Sequence, residues 1–400
     1  MNSSLSDNIS VYSNKPTNLE EKYTEARNEV GNNEPLTPCP TDGSCRLPNC
    51  FCSQSGTTPP GNFDRKSTPQ MIVLTFDGPV TDRIINIYKS LFSGKLRNPN
   101  MCPIKGTFYL SHQWNNYDQS QWLASRGNEI GVNSITHEIL SNKTRERWRH
   151  EMVGMRESLQ EFSYVERAVI SGMRAPHFMI GGDEQFAMMA ENDFSYDNSM
   201  PTKEGPFWPQ TLDHNISWDC GSQKCPTRPY KGIWEIPTQL IQSNDGIWYP
   251  TVAKALRPYD SKTSVRQLLA RNFMRNYKTN RAPLVLSLDS EFLTYLPDNG
   301  AVLALEEWLA DVLSKRDVYV VTASQVISWM KSPIAVNAIE HFRPWQCNFR
   351  MNDHIQPCET PSVCSYSGSS GGRLAHSFRV CGSCPKNYPW IEDPLGKRQL

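Results

Sequence analysis

Asp77 ends a run of apolar and β-branched residues, Met-Ile-Val-Leu-Thr-Phe-Asp at 71–77, which lies between Pro69 and the turn formers Gly78-Pro79. A short apolar run bounded by such residues predicts a buried strand. Because ligands and reacting groups collect at the carboxyl ends of parallel strands in α/β folds, Asp77 is the first candidate for a functional carboxylate. The structural alternative is that Asp77 caps a helix predicted over 81–94.

Three further polar residues lie at or just after the ends of predicted strands. They are His137, Arg174 and Asp289. Parallel strands bring their carboxyl ends to one face, so we expect these side chains to meet Asp77 at one mouth of the fold. The plainer interpretation of His137 is a hydrogen-bonded structural histidine, which is the more frequent role of a lone histidine on a loop.

Five segments together resemble the motifs of the polysaccharide deacetylases, specifically the chitin deacetylase-like branch of arthropods and nematodes. The first is Leu-Thr-Phe-Asp at 74–77. The others are Val-Asn-Ser-Ile-Thr-His (132–137), Arg-Ala-Pro (174–176), Phe-Ser-Tyr-Asp-Asn-Ser (194–199) and Pro-Leu-Val-Leu-Ser-Leu-Asp (283–289). The resemblance extends over nearly all of 39–394.

This resemblance implies hydrolysis of the N-acetyl groups of a β-1,4-linked N-acetylglucosamine polymer by one divalent metal with three protein ligands. The family's ligands are a second Asp after the first and two histidines spaced four apart. Here Gly78 stands at the Asp position and Asn133 at the earlier histidine, so only His137 is retained. We therefore expect no tightly bound metal, and zinc if the site is functional.

The resemblance also assigns the remaining site residues. Asp77 matches the catalytic base and Arg174 its ion-pair partner, while Asp289 stands where the family has a general acid histidine. A carboxylate with an ordinary pKa near 4 is ionised at neutral pH and does not donate a proton. The predicted wall of the substrate groove comprises Asp197, Trp208 and Pro176.

Two functions follow from these departures. The first is a secreted pseudoenzyme that binds chitin or a related N-acetylglucosamine polysaccharide, in an extracellular matrix or as a modulator of active relatives. The second is an active metal-dependent N-deacetylase with rebuilt ligation, in which Asp82, Asp289 or Asp197 joins His137 around the metal. For the aromatic-rich insert that contains Trp208, packing against the barrel is at least as good an explanation as sugar stacking.

Composition narrows the class of protein. The 400 residues have a formal net charge of zero and 38% hydrophobic residues, which suits one large domain with appendages. Without a basic excess, nothing indicates a nucleic acid or a membrane surface as partner. The apolar runs are shorter than the roughly 18 to 20 residues that a membrane span requires.

Twelve cysteines in clusters predict disulfides made in an oxidising compartment, hence secretion. The alternative is a four-thiolate zinc site made by Cys358, Cys364, Cys381 and Cys384. Residues 1–38 carry none of the features of a secretory signal peptide, so the expected export depends on the cysteines and the resemblance. Glycosylation sequons, which agree with secretion, begin at Asn2, Asn8, Asn142 and Asn215.

Strand-like and helix-like patterns alternate from residue 70 onward, which predicts parallel strands with right-handed crossovers. Seven units in about 270 residues favour a (β/α) barrel over an open sheet, and the resemblance sharpens this to a distorted (β/α)₇ barrel. Four regions are predicted: a disordered segment at 1–38, a Cys-rich extension at 39–69, the barrel at 70–332 with an irregular stretch at 200–262, and a second Cys-rich extension at 333–400.

Overall fold

The computed structural model describes residues 35–347, 358–366 and 376–398. Most of the predicted disordered segment 1–38 therefore lies outside the described residues, as do the sequons at Asn2 and Asn8. No helix in the described part of the chain is both long and apolar enough to cross a membrane.

Fifteen strands are numbered in chain order: β1 (Gln70–Asp77), β2 (Thr107–Leu110), β3 (Glu129–Val132), β4 (Gly172–Met173), β5 (Tyr196–Asp197), β6 (Pro201–Thr202), β7 (Gln210–Leu212), β8 (Tyr230–Glu235), β9 (Thr238–Gln239), β10 (Ile241–Gln242), β11 (Trp248–Tyr249), β12 (Leu284–Leu288), β13 (Val318–Val320), β14 (Ser362–Tyr366) and β15 (His376–Val380). Nine α-helices occur in the described ranges: α1 (Ile85–Leu91), α2 (Tyr117–Ser125), α3 (Arg145–Ser163), α4 (Asp183–Glu191), α5 (Val252–Ala255), α6 (Lys262–Tyr277), α7 (Ser290–Leu293), α8 (Gly300–Leu313) and α9 (Ala323–Lys331).

The barrel wall is built around β1, which pairs in parallel with three strands. β12 runs along one edge of β1, and the other edge is shared by β13 at its start and β2 at its end. From β2 the sheet continues in parallel through β3, β4, β5 and β8, and β7 joins β8 antiparallel. The predicted distorted (β/α)₇ barrel is confirmed, with all seven predicted strands present in order.

Alternation along β1 explains how a buried strand delivers a carboxylate to the interior. Ile72, Leu74 and Phe76 belong to the large apolar cluster that includes the helices. Met71 and Val73 point to the opposite face and join a second, inner cluster. Because side chains alternate across a strand, Asp77 falls on the same inner face as these two residues.

The stretch predicted as irregular, 200–262, is more ordered than expected. It contains six short strands, β6 to β11, and the helix α5. The prediction missed these strands because they mix polar and apolar residues and include no continuous apolar run like that of β1. Cys220 and Cys225 form a disulfide within this stretch.

All twelve cysteines are paired, as the clustering predicted. The zinc alternative is wrong, because the four cysteines that it required form two disulfides, Cys358–Cys381 and Cys364–Cys384. Two short bridges, Cys39–Cys52 and Cys45–Cys50, tie the N-terminal extension. Cys102–Cys347 bridges the barrel and the chain that follows it.

The C-terminal extension docks on the barrel through charged and polar contacts as well as disulfides. Arg379 of β15 makes ion pairs with Asp82 at 2.7 Å and with Asp118 at 3.1 Å. Ser158 of α3 donates a hydrogen bond to the carbonyl of Pro394 at 2.7 Å. The extension therefore forms part of the surface on the side of the barrel where α2 and α3 lie.

Candidate active site

Asp77 and Arg174 form a buried ion pair at the carboxyl end of β1. Arg174 Nη1 donates to Asp77 Oδ1 at 2.7 Å, and the Arg174 side chain has no exposed surface while that of Asp77 is 17% exposed. Burial raises the pKa of Asp77, an effect that the neighbouring Arg174 guanidinium partly offsets. The structure thus brings together the two residues that the sequence predicted as base and partner.

Arg174 is held on every side. Its Nε donates to the carbonyl of Asn198 at 2.7 Å, its Nη2 donates to Asn198 Oδ1, and its Nη1 also donates to Thr75 Oγ1 at 2.9 Å. The guanidinium carbon lies 4.4 Å from the ring centroid of Tyr109 and 5.0 Å from that of Phe178. This environment fixes the arginine whether or not the site is catalytic.

His137 lies beside a second histidine that the sequence analysis did not single out. The ring centroids of His137 and His177 are 4.7 Å apart, and His177 Nε2 lies 3.1 Å from the carbonyl oxygen of His137. Burial, together with the charge of His177, lowers the pKa of His137 to about 4. Both residues have left-handed backbones with φ of 58°, a conformation that concentrates at functional sites.

Gly78 stands at the position where the motif resemblance predicts that an aspartate ligand is missing. Its φ is +98°, in the region that side-chain-bearing residues rarely adopt, and its amide donates to the carbonyl of Tyr109 at 3.0 Å. A Cβ built at this position would meet no atom within 4 Å. There is therefore space for a carboxylate at position 78, but the backbone conformation at this position favours glycine.

Asn133, which the motif resemblance aligns with the other missing ligand, a histidine, lies directly after β3. The residue is buried, its Nδ2 donates to the carbonyl of Arg174 at 2.8 Å, and its Oδ1 has no hydrogen-bond partner. Asn133 therefore braces the strand end that carries Arg174. An amide oxygen is a poor zinc ligand compared with an imidazole nitrogen.

Asp289 follows β12 and acts as the N-cap of the short helix α7. Its Oδ1 accepts a hydrogen bond from the amide of Phe292 at 2.8 Å, which is the usual role of an N-cap carboxylate. Burial raises the pKa of Asp289, and the charge of Asp77 raises it further. Asp77 and Asp289 lie at the carboxyl ends of the adjacent parallel strands β1 and β12, where Phe76 is paired with Leu288.

Asp197 does not line a groove. It is fully buried and paired in register with Glu235 on the adjacent parallel strand β8. Its carboxylate accepts hydrogen bonds from Gln185 at 2.9 Å and from the Ser199 hydroxyl at 2.6 Å. Burial and the neighbouring Asp197 carboxylate raise the pKa of Glu235 well above its usual range, so the pair holds one proton inside the barrel wall.

This buried pair predicts a loss of stability at alkaline pH. Above a pH of about 4.5 the unfolded chain releases the Glu235 proton while the folded chain keeps it, so raising the pH favours unfolding by up to about 1.4 kcal/mol per pH unit. Glu235→Gln has no carboxyl proton at this position, so the substitution removes this difference in bound protons between the folded and the unfolded chain. We expect its free energy of unfolding to fall less than that of the wild type between about pH 5 and pH 9, measured by urea unfolding without reductant. Glu138→Gln, at an exposed carboxylate, is the matched control, and equal slopes for all three proteins would contradict the prediction.

The other two residues predicted for the groove wall are also buried. Trp208 has no exposed surface and stacks on Trp329 of α9 with ring centroids 5.6 Å apart. It belongs to the inner cluster that contains Met71, near the start of β1, rather than to the mouth where Asp77 lies. Pro176 is buried beside Arg174. The aromatic-rich insert therefore packs its rings against the barrel, which is the plainer of the two interpretations.

The comparisons with known proteins agree with the motifs. Residues 64–180 match the family described as polysaccharide deacetylase. Chitin deacetylase 1 of Bombyx mori is 35% identical over 382 residues, which cover 91% of this chain and 70% of that protein. Chitin deacetylase 8 of Bombyx mori is 30% identical over 381 residues, covering 92% and 96% respectively. The chain belongs to the polysaccharide deacetylase family. Its relatives place it in the chitin deacetylase-like branch.

Solved structures are more distantly similar. A chitin deacetylase from Colletotrichum lindemuthianum has a TM-score of 0.35 and 14% sequence identity, with 71% of this chain and 91% of that chain covered. A family 4 acetyl xylan esterase from Clostridium thermocellum has a TM-score of 0.38 and 14% identity, with 67% and 95% covered.

The three carboxylates considered for a rebuilt deacetylase metal site each have another structural partner. Asp82 pairs with Arg379 of the C-terminal extension, Asp197 with Glu235, and Asp289 caps α7. Within the ranges that the structure describes, the one cluster of three ligand-type side chains at metal-binding distances is Cys45, Cys50 and His214. The two cysteines of this cluster are joined to each other in a disulfide, so neither is available as a thiolate ligand. The donor atoms near His137 thus do not reproduce the family's three strong ligands.

His177 is the site residue that sequence reasoning missed. Its signal was present in principle, because it directly follows the Arg-Ala-Pro motif at a strand end. The motif comparison assigned no role to that position, and only the folded chain shows that it contacts His137 from a different loop. Its charge also lowers the pKa of Asp77.

Proposed function

We propose that this protein is an extracellular chitin deacetylase-like pseudoenzyme that binds chitin or a related N-acetylglucosamine polysaccharide without deacetylating it. The observation that carries the proposal is the donor set at the barrel mouth. Of the three positions that the family uses for its metal, one holds an imidazole, one a glycine with φ of +98°, and one an amide whose nitrogen is bonded to the Arg174 carbonyl.

The missing proton donor supports the same proposal. The family mechanism needs an acid to protonate the leaving amine, and here that position is occupied by Asp289, whose carboxylate accepts the Phe292 amide. Burial and the charge of Asp77 raise the pKa of Asp289, while this hydrogen bond favours the ionised form and ties the carboxylate to the start of α7. Asp77 and Arg174 alone provide a base and its orienting partner, which is insufficient for amide hydrolysis.

An active N-deacetylase with rebuilt ligation is the second candidate, and His177 is the observation that favours it. Two imidazoles with ring centroids 4.7 Å apart, next to Asp77, offer nitrogen and oxygen donors of the types that zinc accepts. Zinc held there would polarise the substrate carbonyl and activate water. However, His177 Nε2 already contacts the His137 carbonyl, so the ring would have to turn before that nitrogen could bind a metal.

The extracellular assignment is supported by the cysteine chemistry. Six disulfides and no free cysteine in the described ranges fit an oxidising compartment. Two sequons in the described residues, at Asn142 and Asn215, have exposed asparagine side chains, as glycosylation requires. The glycan assignment derives from the relatives, which are named as chitin deacetylases.

A chitin sedimentation assay tests the binding part of this proposal. We expect the purified protein to co-sediment with insoluble chitin and to be released by soluble N-acetylglucosamine oligomers, because its relatives are named as chitin deacetylases and it keeps the Asp77–Arg174 pair at the end of β1. Cellulose, which has the same β-1,4 linkage without N-acetyl groups, is the control matrix. Equal retention on both matrices, or on neither, would contradict recognition of N-acetylglucosamine.

A further inference from the structure

Four aromatic side chains form a continuous row on the surface where the loop after β2 meets the C-terminal extension. Trp114 comes from the loop, His376 begins β15, and Tyr388 and Trp390 follow in the extension. Neighbouring ring centroids are 5.9 Å apart for Trp114 and His376, 4.1 Å for His376 and Tyr388, and 5.9 Å for Tyr388 and Trp390. We call these four residues the aromatic row.

The row is supported from beneath by a buried histidine. The ring centroid of His112 lies 5.0 Å from that of Tyr388 and 6.3 Å from that of Trp390, and its Nδ1 is 2.7 Å from the Tyr117 hydroxyl. Packing of this kind fixes the rings before any ligand arrives. A preformed surface loses little side-chain freedom on binding, and this favours affinity.

Trp114 and Trp390 present their rings to solvent. They are 45% and 37% exposed, and both are among the large hydrophobic residues that the fold leaves uncovered. Trp114 also has a φ of +71°, a left-handed conformation that costs a bulky residue free energy. The tryptophan ring is largely exposed, so burial of the ring does not offset this free-energy cost. The strain therefore indicates a site where the ring is held outward for binding.

The row begins beside the barrel mouth. The amide of Val80, three residues after Asp77, donates to Asn115 Oδ1 at 2.9 Å. The amide of Asn116 donates to the carbonyl of Val80 at 2.8 Å. The loop that carries Trp114 is therefore attached to the segment that follows β1, and the row leads from there onto the extension.

We propose that the aromatic row is a binding platform for the part of a neutral N-acetylglucosamine polysaccharide that extends beyond the mouth. The C–H faces of β-linked pyranose rings stack on flat aromatic rings, and indole, phenol and imidazole groups add hydrogen bonds to hydroxyls and acetamides. This inference depends on the proposed glycan binding and adds the surface that performs it.

Titration with a water-soluble N-acetylglucosamine oligomer tests the platform. We expect Trp114→Ala and Trp390→Ala each to weaken binding by about tenfold or more, since exposed aromatic anchors commonly carry such a share of affinity. Tyr259→Ala is the matched control, because Tyr259 is 81% exposed and lies outside the row. Near-ultraviolet circular dichroism confirms that each variant keeps the wild-type fold.

The outcomes separate this inference from the function on which it depends. Wild type that binds the oligomer, with both tryptophan variants binding equally well, would overturn the platform and leave the proposed function standing. Wild type that binds no oligomer and no insoluble chitin would overturn both. Selective weakening in the two tryptophan variants, with Tyr259→Ala unchanged, would support the platform.

Discussion

The purified wild-type protein is expected to retain no divalent metal after dialysis and to release no acetate from chitin oligomers. A zinc site of this family uses three strong ligands, and the structure provides His137 alone at those positions. Loss of metal activation removes several kcal/mol of transition-state stabilisation. Loss of a positioned acid removes a further factor of about 10² to 10⁴. Metal content by atomic spectroscopy and acetate by an enzyme-coupled assay measure both losses.

Restoring the family pattern with Gly78→Asp, Asn133→His and Asp289→His is the reciprocal experiment. The open space around Gly78 predicts that a carboxylate fits, and we expect the triple variant to bind zinc. The left-handed backbone predicts a cost as well, of about 1–2 kcal/mol in the free energy of unfolding. Gly78→Ala has the same strain without the ligand, so it separates the two effects.

Three results would decide between the candidate functions. Robust acetate release by the wild type would contradict the pseudoenzyme proposal. Zinc retained by the wild type and lost in His177→Ala, measured as metal content, would identify the rebuilt site instead. A triple variant that binds zinc and releases no acetate would show that the substrate groove has also been lost.

The barrel was predictable because apolar runs, such as those that end at Asp77 and Asp289, alternate with helical patterns along the chain. Asp77 and Arg174 followed from their positions at strand ends, and the structure joins them by an ion pair of 2.7 Å. The positions of the groove residues were not predictable in this way. Trp208 and Asp197 are both buried. The sequence does not reveal this, because an aromatic-rich insert and a strand-end carboxylate look the same whether they face solvent or the core.

Properties that depend on several distant segments were also invisible to sequence reasoning. The register of β5 with β8 places Asp197 opposite Glu235, and no local pattern specifies that register. The contact between His137 and His177 joins the loops that follow the adjacent parallel strands β3 and β4. The aromatic row likewise needs the C-terminal extension to dock on α2 before Trp114 meets His376.

Replacing Arg174 with Met is expected to destabilise the protein by about 3–5 kcal/mol, whether or not the site is catalytic. The substitution leaves the Asp77 carboxylate without a counter-charge in a largely buried position and removes the donors that bond Asn198 and Thr75. Chemical unfolding at neutral pH, without reductant, measures the change. Arg145→Met is the matched control, because Arg145 pairs with Glu191 at the same distance of 2.7 Å on the surface. Exposed pairs of this kind contribute about 0–1 kcal/mol.

The double variant Arg174→Met with Asp77→Leu tests whether the loss comes from the uncompensated charge. If it does, the double variant should be more stable than Arg174→Met alone, since residues in direct contact have coupling energies of about 0.5–3 kcal/mol. A loss no greater than that of Arg145→Met would mean that the pair is not needed for folding. The Asp77–Arg174 pair in a chain with Gly78 and Asn133 at two ligand positions would then require selection for a chemical role. That result would count against the pseudoenzyme proposal. A large loss with recovery in the double variant would show that folding alone accounts for the Asp77–Arg174 pair.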